Sequence, residues 1–275
     1  MELPVLTHTV EGSGPPLVLL NGGLMSFRAW DAVAERLKPR FTVVRCDFRG
    51  QLLSPGPPPD SLDGHAEDLV RLLDHLEVAA AHLVGTSFGA LVGLTLAAAC
   101  PDRVWSLVAI TATDRVTPEA WAGARTLADA CEAAAGGGDG GAVFDLVTST
   151  TFSPAYIRHR APELAARRQV VAALPPEWFA GLGRLLGVLQ GLDLRPRLSR
   201  ITCPALVLGA GRDQTFPVAH SQALAAGLPH AELSIAPDAP HGMVAEQPDL
   251  VATSILRFLE ERGGAGAADS HQESS

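Results

Sequence analysis

The sequence is poor in lysine and in net positive charge. Lys38 is the only lysine among 275 residues, and 21 basic residues face 30 acidic ones, which gives a formal net charge of -9. A chain with this balance lacks the positive surface that attracts phosphate backbones and anionic lipid headgroups. We therefore expect neither nucleic acid nor a membrane as a partner.

Cysteines and long apolar runs are also scarce. The four cysteines, Cys46, Cys100, Cys131 and Cys203, are scattered without the spacing of a metal site or a disulfide framework. Free thiols in a reducing compartment are the expected state, which predicts a cytoplasmic protein. The sequence has no stretch of some 20 apolar residues, and its start lacks the basic and apolar regions of a signal peptide. We expect no membrane span and no secretory signal.

Short apolar runs alternate with helical patterns along most of the chain. Strands are predicted at 5–10, 17–20, 41–46, 81–84, 104–110, 205–208 and 231–235. Helices are predicted at 27–37, 62–76, 90–100, 121–135, 161–174, 177–190, 218–228 and 247–260. This alternation is typical of α/β proteins with a mostly parallel, doubly wound sheet and right-handed crossovers.

The alternation is interrupted between residues 112 and 200, which carry helical patterns but no strand pattern. We call this segment the helical insert. It predicts a core formed by residues 1–111 and 201–262 around one sheet. The glycine-rich run 136–141 within the insert predicts a flexible joint. Residues 263–275 are small and polar, and a disordered tail is expected there.

A serine follows one of the buried strands in the sequence Gly85-Thr86-Ser87-Phe88-Gly89. A predicted helix follows at once, so Ser87 stands on a strand-to-helix turn. Flanking glycines permit the sharp bend, and the first amides of the helix face the same space as the hydroxyl. An incidental serine in a glycine-rich turn is the simpler interpretation, but the strand-turn-helix context favours a nucleophile.

A serine nucleophile needs a base and an acid that orients the base. Asp213 follows the strand pattern 205–208, and His241 follows the pattern 231–235. The carboxyl ends of parallel strands meet at one edge of the sheet, so these side chains are expected near Ser87. Asp114, which follows the pattern 104–110, is an alternative acid that the sequence leaves open.

These motifs resemble the α/β-hydrolase family, in particular its capped, soluble esterase and lactonase branch. The resemblance covers about residues 3–261 and rests on the segments 85–89, 21–23 with Trp30, 47–50 before Ser54, 211–213 and 240–242. Two positions depart from the family pattern. Asn21 stands where the family usually has histidine, and Leu52 stands where a glycine is usual. Both concern the loop that forms the oxyanion site and the rim of the pocket.

The resemblance implies a role for each matched residue. Ser87 would attack a carbonyl, His241 would move its proton, and Asp213 would orient the histidine. The backbone amides of Phe88 and of Gly23 or Leu24 would bind the oxyanion. Each donor would stabilise the transition state by roughly 3 to 4 kcal/mol. Neither a cofactor nor a metal is expected.

The insert would act as a cap over this site. Its aromatic residues Trp121, Phe152, Tyr156 and Trp178 are candidates for substrate binding, although packing between helices is the favoured interpretation for most of them. The implied activity is hydrolysis of a small, largely apolar ester, thioester or lactone. Carbon–carbon bond hydrolysis, perhydrolysis, acyl transfer and a slow ligand-binding regulator stay open as alternatives, as does a homodimer.

Overall fold

The structure is a computed structural model that describes residues 4–266. Its strands are β1 (His8–Gly12), β2 (Pro16–Leu20), β3 (Thr42–Cys46), β4 (Ala81–Thr86), β5 (Val104–Ile110), β6 (Ala205–Ala210) and β7 (Ala231–Ala236). Its helices are α1 (Asp31–Leu37), α2 (Leu62–His75), α3 (Phe88–Ala99), α4 (Pro118–Ala135), α5 (Gly140–Thr151), α6 (Pro154–His159), α7 (Ala161–Ala172), α8 (Pro176–Gly187), α9 (Arg195–Leu198), α10 (Val218–Gly227), α11 (Met243–Glu246) and α12 (Pro248–Gly266).

The seven described strands form one sheet in the order β1-β3-β2-β4-β5-β6-β7. Only β1 pairs antiparallel with its neighbour, and the other neighbours are parallel. The predicted mostly parallel, doubly wound sheet is therefore confirmed. After β2 the chain moves outward to β3, whereas after β4 it moves the other way to β5. The adjacent carboxyl ends of β2 and β4 thus form a topological switch point, where ligands of such sheets bind.

Each face of the sheet is covered by its own buried apolar cluster. Helices α1 and α12 cover one face, where Trp30 and Phe258 are almost fully buried. The other face carries α2 and α3, and the cluster there continues into the insert through Leu182 and Leu185. The insert thus shares a core with the sheet layer beneath it.

The predicted flexible joint at 136–141 is wrong for Gly140 and Gly141, which begin α5, and stays a prediction for residues 136–139. Asp139 caps the first turn of α5, with its side chain accepting a hydrogen bond from the Gly141 N–H. Gly140 and Gly141 are buried, and a methyl group on Gly140 would overlap the Phe179 ring. Gly140 therefore leaves room for the Phe179 ring of α8, and Gly141 leaves room for the Arg168 guanidinium of α7.

The last helix of the described chain is longer than predicted. Helix α12 continues to Gly266, past the expected core boundary at residue 262. The rest of the predicted tail lies outside the described residues. No helix between residues 4 and 266 has the length and apolar character needed to cross a bilayer. The four cysteines are free thiols.

Candidate active site

Ser87 occupies a strained turn between β4 and α3. Its backbone has φ 49° and ψ -118°, a positive φ that costs a non-glycine residue of order 1–3 kcal/mol. The Ser87 N–H donates to the Ile110 carbonyl at 2.9 Å, which ties the turn to the next strand. A Cβ on Gly85 would overlap the Gly89 carbonyl, and one on Gly89 would overlap the Leu20 carbonyl. Glycine at both positions lets α3 approach the sheet and hold the turn.

A histidine and a carboxylate are paired at the carboxyl ends of β6 and β7. His241 Nδ1 lies 2.8 Å from Asp213 Oδ2, and the Asp213 side chain is fully buried. The other carboxylate oxygen accepts hydrogen bonds from the Thr215 and Phe216 N–H groups, both at 2.8 Å. A carboxylate at Nδ1 favours the tautomer whose Nε2 is free to accept a proton. The pair is thus arranged as a base and its orienting acid.

Asp114 has different surroundings. It is buried after β5, and its backbone carbonyl accepts a hydrogen bond from the Leu194 N–H at 2.8 Å. Within residues 4–266 the Asp114 carboxylate makes no hydrogen bond to His241, whereas that of Asp213 does. Of the two candidate acids, Asp213 is the one that contacts the histidine.

The loop after β2 carries unpaired backbone donors beside the Ser87 turn. Within the described part of the chain, the N–H groups of Gly23, Leu24 and Phe88 have no hydrogen-bond acceptor. Gly23 is close to Phe88, because a Cβ on Gly23 would lie 3.9 Å from Phe88 Cβ. Free N–H groups on two adjoining loops are the arrangement that an oxyanion requires.

A buried polar network supports this loop. Asn21 Nδ2 donates to Asp47 Oδ1 at 2.9 Å and to Gln51 Oε1 at 3.1 Å. Asp47 also accepts from the Phe27 and Leu53 N–H groups. Burial is the main influence on the Asp47 carboxyl and raises its pKa despite these hydrogen bonds. Asn21, the departure from the family pattern, therefore joins the β2 loop to the loop after β3.

Gln51 was not identified from the sequence. Its side chain is buried and its Nε2 donates to the Gly22 and Gly23 carbonyls at 2.7 and 3.1 Å. The available signal was its position between Asp47 and Ser54 in a segment already assigned to the pocket rim. Leu52, the second departure from the family pattern, is 45% exposed and takes no part in the network.

Two side chains of α8 lie against the β2 loop. A Cβ on Gly23 would lie 3.5 Å from Leu185 Cδ2 and 3.7 Å from Leu186 Cδ2. On the other side, a Cβ on Gly242 would meet the Phe152 ring at 2.7 Å. The insert thus contacts both the β2 loop and the residue that follows His241, and it presents apolar side chains there.

The other aromatic candidates lie in different surroundings. Tyr156 stacks on Phe152, with ring centroids 4.8 Å apart. Trp178 packs edge-on against Phe179 at 5.0 Å. Trp121 is half-buried and packs on the cluster shared by the insert and the sheet layer.

Three hydrogen bonds tie the insert to the segment that carries His241. The Gly242 N–H donates to the Thr151 carbonyl at 2.8 Å. The Glu246 carboxylate accepts from the Ser153 N–H at 3.0 Å and from the Ser153 hydroxyl at 2.5 Å. Ser153 also caps α6 by accepting from the Tyr156 N–H at 3.1 Å. The histidine loop and the insert are therefore held in a fixed relation.

A second histidine is buried close to the site. His65 on α2 contacts the Phe48 and Phe88 rings edge-on, with centroids 5.6 and 5.1 Å away. Both of its ring nitrogens are buried without a hydrogen-bond partner in the described structure. Burial lowers the pKa of His65 to about 4. The described residues include no group of three or more His, Cys, Asp or Glu arranged to hold a metal ion.

Comparison with known proteins places these features in a family. The sequence model of the family described as alpha/beta hydrolase fold matches residues 15–248. The chain is 31% identical over 287 residues to a Caulobacter segnis protein named carbamate hydrolase RutD, covering 92% of this chain and 98% of that protein. It is 32% identical over 258 residues to a Chromobacterium violaceum pimeloyl-[acyl-carrier protein] methyl ester esterase, covering 90% of this chain and 96% of that protein.

A solved structure shows the same architecture. The enol-lactonase from Burkholderia xenovorans LB400 is 26% identical to this chain and superposes on it with a TM-score of 0.81. The superposition covers 93% of this chain and 96% of the lactonase. The chain belongs to the alpha/beta hydrolase fold family. Its relatives support an enzyme of the hydrolase class that acts on small molecules.

Proposed function

We propose that this protein is a cofactor-independent serine hydrolase that cleaves a small, largely apolar ester, thioester or lactone through an acyl-enzyme on Ser87. The observation that carries the proposal is the hydrogen bond from His241 Nδ1 to the buried Asp213 carboxylate. It stands at the same edge of the sheet as a serine held at positive φ on a strand-to-helix turn. A base, its orienting acid and a partly exposed nucleophile are the groups that acyl transfer needs.

The reaction follows from the chemistry of these groups. His241 Nε2 takes the Ser87 proton as Oγ attacks the carbonyl carbon, and Asp213 stabilises the imidazolium. The N–H groups of Phe88 and of Gly23 or Leu24 stabilise the oxyanion. The imidazolium then protonates the leaving oxygen or sulfur as its bond to the carbonyl carbon breaks, which leaves the acyl-enzyme and a free alcohol or thiol group. Water repeats the sequence on the acyl-enzyme and releases the acid.

The apolar contacts of the insert support the proposed substrate class. Leu185, Leu186 and Phe152 approach the loops that carry the reacting groups, and none of them can move a proton. Leu185 and Leu186 are already buried, whereas Phe152 is partly exposed and can bury the acyl or alcohol part of a substrate, at about 25 cal/mol per Å² of apolar surface. A pocket of this kind separates substrates that differ by one methylene by only about 1 to 3 kcal/mol. The insert, as a cap, would therefore set a preferred chain length.

The names of the relatives support the bond type. They specify a carbamate, a methyl ester and an enol-lactone, each of which has a carbonyl bonded to a heteroatom. For this chain that bond type favours ester-like substrates over carbon–carbon bond hydrolysis. A panel of p-nitrophenyl esters, thioesters and lactones, assayed beside vinylogous diketones, measures the preference directly.

Replacement of Ser87 tests the proposed nucleophile. Ser87→Ala should lose covalent labelling by a fluorophosphonate, and its kcat on esters should fall by about 10³-fold or more. Ser199→Ala, at an exposed serine beyond α9, is the matched control and should keep both. Labelling of the folded Ser87→Ala protein to the level of the control would refute the assignment. Turnover of the diketones alone would refute the substrate class.

A further inference from the structure

The Gln51 carboxamide is fully engaged inside the protein. Its Oε1 accepts from the Phe48 N–H at 2.9 Å and from Asn21 Nδ2 at 3.1 Å. Its Nε2 donates to the Gly22 carbonyl at 2.7 Å and to the Gly23 carbonyl at 3.1 Å. The side chain is 5% exposed, so water does not compete for these hydrogen bonds. Gln51 is therefore fixed at both ends of its amide.

The two carbonyls that Gln51 holds belong to consecutive peptide units. In a planar trans peptide, the C=O and the following N–H point in opposite directions. A Gly22 carbonyl directed at Gln51 turns the Gly23 N–H away from it. A Gly23 carbonyl directed at Gln51 does the same for the Leu24 N–H. One side-chain amide thus sets the direction of both N–H groups that lack an acceptor within the described residues.

The backbone of this loop needs such a constraint. Gly22 and Gly23 have no Cβ and can adopt a wide range of φ and ψ. The Met25 N–H donates to the Gly22 carbonyl at 3.1 Å and closes the turn. No described backbone N–H donates to the Gly23 carbonyl. Without Gln51, no described hydrogen bond would fix the orientation of the peptide between Gly23 and Leu24.

We infer that Gln51 is a positioning residue, which aims the Gly23 and Leu24 N–H groups at the oxyanion formed on Ser87. The inference rests on the proposed serine hydrolase function. Gln51 touches neither substrate nor reacting atoms in this account. Asn21 has the supporting role of holding the Gln51 oxygen from the β2 side, while Phe48 holds it from the β3 side.

Gln51→Met tests the inference, because methionine has a similar length and cannot donate to the two carbonyls. A matched pair of ligands separates positioning from packing. A trifluoromethyl ketone forms a tetrahedral oxyanion with the serine, whereas the corresponding methyl ketone binds with its trigonal carbonyl. Gln51→Met should lower kcat/KM and the affinity for the trifluoromethyl ketone by similar factors of about 10 to 100. This is somewhat less than the effect of removing a whole oxyanion donor. Binding of the methyl ketone should stay within about 2-fold.

Controls keep the result open to refutation. Gln169→Met, at an exposed glutamine of α7, should leave all three quantities unchanged. If Gln51→Met fails to fold, Gln51→Glu replaces it, because a buried carboxylic acid keeps an acceptor for the Phe48 N–H and has at most one donor for the two carbonyls. An equal loss of affinity for the two ketones, or no change in either affinity, would overturn the positioning role. The wild-type protein must hydrolyse esters in the same assay, so inactive wild type would refute the proposed function instead.

Discussion

At the residue scale, His65 is a buried base whose ring nitrogens have no hydrogen-bond partner among the described residues. It lies between the rings of Phe48 and Phe88, next to the turn that carries Ser87. Desolvation disfavours the imidazolium, which is why its pKa falls to about 4 in the folded protein. The unfolded chain takes up the same proton near the ordinary value of about 6.5. Protonation of His65 therefore stabilises the unfolded chain relative to the folded state, in which the ring stays neutral.

We expect a stability loss in mild acid that depends on this residue. Because the folded pKa is depressed, the unfolded state binds more protons between about pH 6.5 and 4, and the free energy of unfolding falls as pH falls through that window. The His65 contribution between about pH 7 and pH 5 is roughly 2 kcal/mol. Urea unfolding at both values should show that His65→Leu loses this component of the slope. His230→Leu, at an exposed histidine, should keep it, and equal slopes for wild type and His65→Leu would disprove the assignment.

The residues of the site differ in how far sequence could predict them. Ser87, Asp213 and His241 stand in motifs that follow strand patterns, so their placement at one sheet edge followed from the alternation of elements. Gln51 has no motif of its own. Its importance comes from four hydrogen bonds to residues 3 to 30 positions away, which only the folded chain brings together. The choice between Asp213 and Asp114 likewise depended on which carboxylate contacts the histidine.

At the element scale, the insert was predicted less completely than the sheet. Strands such as β2 and β5 are short apolar runs that admit few other interpretations. Helices α5 and α6 were missed, because α5 opens on two glycines and ends in a threonine-rich segment that disfavours helix intrinsically. Tertiary contacts compensate there. Phe179 and Arg168 pack against the space that Gly140 and Gly141 leave open.

Two glycine substitutions should therefore have opposite effects. Gly140→Ala places a methyl group in the Phe179 ring and should lower the free energy of unfolding by about 1 to 3 kcal/mol. Gly123→Ala lies in the exposed interior of α4 with nothing within 4 Å of the added methyl, and should raise it by about 0.5 to 1 kcal/mol. Denaturant unfolding of both variants measures the contrast. A neutral or stabilising effect of Gly140→Ala would contradict the packing of Gly140 against the Phe179 ring.

At the scale of the whole molecule, the fold gathers groups that are far apart in sequence. The switch point between β2 and β4 places the Gly22–Leu24 loop beside the Ser87 turn. Strands β6 and β7, on the same side of β4, bring in Asp213 and His241 from the far end of the chain. The insert reaches back over this edge and is tied to the histidine loop through Thr151 and Ser153. The sequence predicted the sheet and its insertion point, but not these tethers.

The most direct test of the account is the site of acyl transfer. The protein is mixed with excess p-nitrophenyl ester, quenched in acid during the first turnover and mapped by peptide mass spectrometry. The account predicts one acyl group per protein on the peptide that contains Ser87, with none on the same peptide of Ser87→Ala. An acyl group on another residue would contradict it. So would the release of one equivalent of p-nitrophenol per protein in the first turnover while Ser87 stays unmodified.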